Sequence, residues 1–313
     1  MSDRKRSIFG VVFLTIFLDM VGFSIIFPLF PDMLDHYLFL EQSMGGGIIS
    51  RFVSWVSEFG HDLLPGNPNF RLETVIFGGI LGSLYAILQF FFAPIWGGLS
   101  DRYGRRPVLM ITLGGTAIGY FLWIMAGDIW VLLLSRVIGG MAGGNISVAT
   151  AAIADVTTRE KRSKGMAFVG IAFGLGFVLG PALGGLASQW DWSGSELVFF
   201  GMHPFSAAAT ISFGLAVINL LWLVWGFSET LPVEKRNPTN SFLPAVCKMT
   251  EVTSPEARRT CLCYLLYMIS FSGMEFTLTF LAVERFAFSP QDLGEMFLLI
   301  GGTLILVQGV VVR

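Results

Sequence analysis

Three charges stand inside apolar runs, where a charge is hardest to accommodate. Asp19 lies in Leu14-Thr15-Ile16-Phe17-Leu18-Asp19-Met20-Val21-Gly22, Arg136 in Leu134-Ser135-Arg136-Val137-Ile138, and Glu275 in Phe271-Ser272-Gly273-Met274-Glu275-Phe276. A carboxylate in an apolar medium either finds a partner or takes a proton, and a cation there turns toward a polar interior. The chemistry these residue types offer is proton exchange and recognition of charge. Burial favours the protonated form of Glu275 and a neighbouring cation the ionised form, so a Glu poised between the two can take and release a proton. Each residue also has a plainer reading. Asp19 can partner an Arg or a helix end, Glu275 can be a structural carboxylate bonded to Ser or Thr, and Arg136 can snorkel toward a membrane surface.

Other chemistry finds little support, and the chain is not expected to be an enzyme. His36, His61 and His203 are scattered in external connections, and Cys261-Leu262-Cys263 lacks the spacing of a zinc or redox pair. With no phosphate loop and no nucleophile motif, no cofactor or metal is expected. Nucleic-acid binding has no basis either.

The elements that must hold these charges follow from composition. Of 313 residues 54% are hydrophobic and 13% charged, about half the charged content of a soluble domain. Mean hydropathy is +0.70. The partner of such a chain is the lipid bilayer. Eight runs are long enough to cross it as helices: Ile8–Phe30, Val75–Trp96, Val108–Ala126, Ile129–Ile153, Gly165–Ala187, Phe205–Phe227, Cys261–Val283 and Met296–Val312. The connections alternate in charge. Fifteen Lys and Arg fall on one side, against Arg51, Arg71 and Arg285 on the other. Basic residues favour the cytoplasmic side, which places the amino terminus there. The first run is too long for a cleavable signal, and Pro28 and Pro31 are expected to close its helix.

Two connections are longer than a turn. Residues 31–74 read as an external loop. Within it Ile48, Ile49, Phe52, Val53, Val56 and Phe59 recur at helical spacing, which fits either a helix lying in the interface or a loosely packed cap. Residues 228–260 are polar and read as a cytoplasmic linker. The expected organisation is therefore a six-helix bundle over 1–227, the linker, and two helices of a second bundle over 261–313.

Three motifs sharpen this picture. Between the second and third runs stands Gly97-Gly98-Leu99-Ser100-Asp101-Arg102-Tyr103-Gly104-Arg105-Arg106-Pro107. Gly104 permits a tight turn, Pro107 suits the first turn of the next helix, and Asp101 is an anion in a basic neighbourhood. In the fourth run, Gly139/Gly143 and Gly140/Gly144 are spaced for close helix contact. The fifth run reads Gly174-Leu175-Gly176-Phe177-Val178-Leu179-Gly180-Pro181-Ala182-Leu183-Gly184-Gly185. Its glycines offer a smooth face, and Pro181 is expected to kink the helix near Phe177.

The first motif resembles the signature loop between helices 2 and 3 of the major facilitator superfamily. There Gly98, Asp101, Arg102, Gly104, Arg105 and Arg106, with Asp155 at the end of the fourth run, would form a cytoplasmic gate. The Arg136 stretch is similar to the fourth-helix motif of proton-coupled members. The ending Gly180-Pro181-x-x-Gly184-Gly185 is similar to the motif associated with antiporters. Phe17-Leu18-Asp19-Met20-Val21-Gly22-Phe23 with Pro28-Leu29-Phe30-Pro31 resembles helix 1 of the tetracycline-efflux branch of drug:proton antiporters. The resemblance implies an all-helical membrane fold of two six-helix halves, so the chain is expected to lack four helices beyond Arg313. It implies proton-coupled export of a small amphiphilic solute by a monomer through alternating access, with Asp19, Arg136 and Glu275 on the pathway. The alternative is a carrier of a metabolite, sugar or organic anion on the same fold. The tetracycline exporters' acidic residue in span 3 and histidine in span 8 have no counterparts here, which argues against tetracycline itself. Phe23, Phe27, Phe30, Trp123 and Phe173 are candidates to line an apolar cavity. External connections without Asn-x-Ser/Thr fit a bacterial inner membrane.

Overall fold

The computed structural model describes residues 3–43, 47–63, 72–158, 160, 162–193, 201–236 and 254–310. Among them every regular element is helical: α1 (Asp3–Ser24), α2 (Phe30–Ser43), α3 (Ile48–Leu63), α4 (Leu72–Tyr103), α5 (Arg105–Ile124), α6 (Ile129–Ala142), α7 (Asn145–Val156), α8 (Arg162–Ala187), α9 (Ser206–Gly226), α10 (Pro255–Phe286) and α11 (Pro290–Val310), with short 3-10 turns. Seven of the helical stretches are long and apolar enough to cross a membrane, and they cover the first seven of the runs read from the sequence. The expected eighth run falls within α11, apart from residues 311–313, which lie outside the described residues.

Two crossings are broken internally. The first helix does not end at its prolines: α1 stops at Ser24, a 3-10 turn carries Pro28, and α2 restarts at Phe30 with Pro31 in its opening turn. The first turn of a helix has no intrahelical use for that N–H, so proline is tolerated there. The fourth crossing breaks at Gly143-Gly144, between α6 and α7. Residues 31–74 are thus mostly helical rather than a loop, and His36 belongs to α2. Helix α3 packs against α2 and α4 with Val56 buried and Arg51, Trp55 and Glu58 exposed. Helix α10 starts at Pro255, within the stretch expected as linker.

Two apolar cores hold α1 to α9 together. One, at the end of the bundle where α5 finishes, gathers Leu29, Met33, Tyr37, Leu81, Trp123 and Leu132. The other, at the end where α5 begins, gathers Val12, Leu109, Leu113, Val148, Ala152 and Leu223. Large apolar side chains also cover the outward faces, among them Ile111, Ile118, Trp222 and Trp225. In water that pattern would be costly; against lipid it is the expected surface.

The end of α5 is secured by side chains from elsewhere in the chain. The Tyr37 hydroxyl donates to Ala126 O at 2.6 Å, the Ser206 hydroxyl to Ile124 O at 2.9 Å, and His203 Nε2 to Trp123 O at 2.8 Å. These carbonyls end the helix or lie just past it, where intrahelical partners run out and buried oxygens need others.

Candidate functional site

The motif between α4 and α5 folds into one polar cluster. Gly104 adopts φ +107°, a conformation that favours glycine, and so reverses the chain between α4 and α5. Arg105 is buried behind it. Its Nε donates to Asp155 at 2.9 Å, and its Nη1 reaches Asp101 and Ser100, each at 2.6 Å. Three helix ends, those of α4, α5 and α7, therefore meet at one guanidinium. Glu229, just past α9, completes the cluster by accepting backbone N–H bonds from Arg105 at 2.9 Å and Arg106 at 3.1 Å. Arg106 donates through Nη2 to Val224 O at 2.7 Å. Arg102 is exposed and stands apart from the cluster, and Gly98 lies in the last turns of α4. Sequence reasoning missed Glu229 and Ser100. Glu229 is distant in sequence, and its only signal was an acid at a helix exit facing a basic loop.

The glycines of α8 divide by face. A Cβ at Gly176 would meet Phe17 O at 2.7 Å, one at Gly180 would meet Val21 O at 2.7 Å, and one at Gly184 would strike Ile25 O. These three let α8 lie directly on the backbone of α1. Gly174 faces open space. On the other face, a Cβ at Gly185 would come within 2.5 Å of Pro290 O, and Gly294 sits against Pro181 O. Helix α8 thus joins α1 to α11, and it runs through Pro181 without interruption. Gln189 donates to Gln291 at 2.9 Å across the same joint. On α4, Gly78 and Gly79 receive Phe280 and Phe276 of α10.

Among the described residues, Asp19 and Arg136 are not paired with each other. Asn145, the first residue after the glycine break, donates from Nδ2 to Asp19 at 2.9 Å and to Thr116 at 3.3 Å. The break turns a polar side chain inward at the depth of Asp19. Sequence reasoning missed Asn145; its signal was an amide following two glycines in an apolar run. Arg136 is 5% exposed, with its guanidinium carbon 4.8 Å from the Trp123 ring centroid and Nε on Ser135 at 3.3 Å. Among the described residues it has no carboxylate partner. It borders a small closed space with Tyr85, Thr116, Tyr120 and Gly139. Glu275 lies on α10 by its backbone, but its side chain is outside the described residues.

Between α1, α4 and α8 on one side and α10 and α11 on the other is a cavity of about 450 Å³. Phe23, Phe27, Phe30, Phe177, Phe276 and Phe280 form much of its wall, with Ser83, Ser272 and Thr279 as polar points. Phe23, Phe27 and Phe30 are where the sequence led one to look. Trp123 and Phe173 are not in the wall: Trp123 is buried under Arg136, and Phe173 stacks on Phe177 at 5.9 Å. The volume is that of a small-molecule site.

Known proteins place this architecture. The family model of the Major Facilitator Superfamily matches residues 12–313. The mouse "Major facilitator superfamily domain-containing protein 10" is 38% identical over 99% of this chain and 68% of its own length. The Escherichia coli "Tetracycline resistance protein, class E" is 30% identical over 94% of this chain and 62% of its own length. The crystal structure of the human organic anion transporter MFSD10 (TETRAN) superposes with a TM-score of 0.78 at 35% identity, covering 98% of this chain and 72% of that one. A D-xylose-proton symporter shares the fold alone, with a TM-score of 0.60 at 14% identity. The chain is a multi-pass membrane protein, and it belongs to the Major Facilitator Superfamily, a family of transporters.

Proposed function

We propose that this protein exchanges protons for a small amphiphilic solute, exporting it by alternating access, with the phenylalanine-walled cavity as the solute site. The observation that carries the reading is the environment of Asp19. Its hydrogen-bond partner is the neutral amide of Asn145, and among the described residues no cation neutralises it. A carboxylate held this way can change protonation as access alternates, which one locked to a guanidinium cannot do. Glu275 is a second candidate on the opposite wall of the path. The Arg105 cluster serves as the cytoplasmic gate, and the glycine contacts of α8 with α11 as the external one. The export direction rests on the Gly180-Pro181-x-x-Gly184-Gly185 ending, and the functional unit is a monomer with its amino terminus in the cytoplasm. The mammalian relatives lend no support to a bacterial inner membrane, and the proposal does not include it.

The test uses the full-length protein in sealed vesicles with an imposed pH gradient, followed by a pH-sensitive dye while candidate amphiphiles are added. Solute-dependent proton movement that is lost in Asp19→Asn and kept in a surface variant supports exchange. Solute flux that moves no protons, or proton movement that survives Asp19→Asn, sinks the assignment to Asp19.

A second reading, an organic-anion carrier, is favoured by one observation: Arg136 is buried without an acidic partner among the described residues. The human structural relative is described as an organic anion transporter.

A further inference from the structure

Among the described residues, no ionisable side chain lines the cavity wall. A solute there meets phenylalanine rings and a few hydroxyls. One charge nevertheless waits close behind the wall. Phe23 lines the cavity and its ring packs on Tyr85, with centroids 4.9 Å apart. Tyr85 in turn borders the small closed space that holds Arg136. The order outward from the cavity is therefore Phe23, Tyr85, closed space, Arg136.

The position of Tyr85 is built into the backbone. A Cβ at Gly139 would come within 3.2 Å of the Tyr85 ring, and one at Gly140 within 2.8 Å of Tyr85 O. Gly139 thus lets the ring, and Gly140 the backbone of Tyr85, come close to the helix that carries Arg136. The neighbours of Tyr85 on α4, Gly82, Ser83 and Ala86, are small and face the cavity. That leaves the Tyr85 and Phe23 rings as the bulk of the partition. Tyr85 is also within electrostatic reach of both Asp19 and Arg136. Among the described residues Arg136 has no carboxylate partner, and a buried guanidinium held that way is an expensive arrangement unless an anion arrives to meet it.

We propose that Tyr85 is a specificity-determining residue: with Phe23 it screens Arg136 from the cavity, and displacement of the screen admits the head group of a small amphiphilic organic anion to that guanidinium. This rests on the reading of the cavity as the solute site. The apolar body of the solute lies among the phenylalanines while its sulfonate or carboxylate reaches past the tyrosine. A neutral analogue of the same shape has nothing to gain from Arg136.

The experiment compares two fluorescent probes on the full-length protein in lipid nanodiscs, with empty nanodiscs subtracted. Anilinonaphthalene sulfonate carries the anionic group, and phenylnaphthylamine is nearly the same shape without it. The readout is the ratio of their affinities. Cutting the screen with Tyr85→Ala, or with the milder Tyr85→Leu, raises the anion's advantage about tenfold, the gain of one new charge-assisted contact. Adding Arg136→Gln to either variant returns the ratio to the wild-type value or below. Tyr85→Phe, which keeps the ring, stays near wild type. An unchanged ratio in both cut variants, or a rise that survives Arg136→Gln, overturns the proposal. If wild type binds neither probe saturably, the cavity is not a solute site, and that reading falls together with this one.

Discussion

Glu229 accepts the backbone N–H of Arg105 at 2.9 Å, so a residue leaving α9 caps the first turn of α5. The same carboxylate accepts N–H groups from Arg106, Thr230 and Leu231. An anion at a helix amino terminus is favoured by the exposed N–H groups and the helix dipole. Glu229→Gln puts an amide donor among these N–H groups and removes the charge. The expected loss is about 1–2 kcal/mol of stability, read as a lower melting temperature of the purified protein. An unchanged melting temperature would show the carboxylate to be incidental.

Gly104 is tied to the same residue. Its φ of +107° disfavours any side chain, and a Cβ there would collide with the Glu229 carboxylate. Gly104→Ala is expected to cost about 1–3 kcal/mol, from backbone strain and from displacement of the cap. Because part of that cost is the lost cap, Gly104→Ala and Glu229→Gln should combine to less than their sum. A double-mutant cycle on melting curves reads this directly, and full additivity would refute the shared mechanism.

On α8, glycines that look alike in sequence should behave oppositely. Gly176→Ala pushes a methyl group into Phe17 O and the Met20 side chain, whereas Gly174→Ala adds one to open space. Overpacking of a close helix contact costs about 1–3 kcal/mol. Replacing a helical glycine that touches nothing gains up to about 1 kcal/mol. The first variant should melt lower than wild type and the second no lower. Equal effects would mean that α8 does not rest on α1 through these positions.

The crossings were legible because apolar runs and the distribution of Lys and Arg report directly on the bilayer. The loop between α4 and α5 was legible because its charges and glycines are contiguous. Asp155 was placed there too, since it ends the crossing that returns to the same surface. Glu229 and Asn145 were not legible, because their roles arise from approach between residues far apart along the chain. Nothing near position 229 announces that two N–H groups of α5 will stand above it. The helix restart at Phe30 was misread for a different reason. Proline is both a terminator and a favoured opening residue, and the sequence alone does not choose between the two. Trp123 was read as cavity lining because aromaticity alone was visible; its burial under Arg136 is a matter of packing.

His203, between α8 and α9, offers a test. Its ring is buried, with Nε2–H donating to Trp123 O at 2.8 Å and Nδ1 accepting from the Phe205 N–H at 3.3 Å. Both nitrogens are thus committed in the neutral form, and protonation at Nδ1 would break the second bond. Burial lowers the pKa from 6.5 to about 4, against the smaller opposing effect of the Trp123 carbonyl. In the unfolded chain the ring titrates near its ordinary value. Above that value both states are neutral, and stability does not depend on this group. As pH falls through the interval, the unfolded state takes a proton that the native state refuses, so stability drops. The loss reaches about 2 kcal/mol near pH 5 and about 3 kcal/mol at lower pH. His203→Gln keeps a donor for Trp123 O and has no such titration, so its melting temperature should change less between about pH 7 and about pH 5 than that of wild type. His36, whose ring centroid lies 6.4 Å away, is the neighbouring histidine that could imitate the effect, and His36→Gln is the control. If wild type and His203→Gln lose stability in parallel while His36→Gln does not, the acid sensitivity belongs to His36 instead.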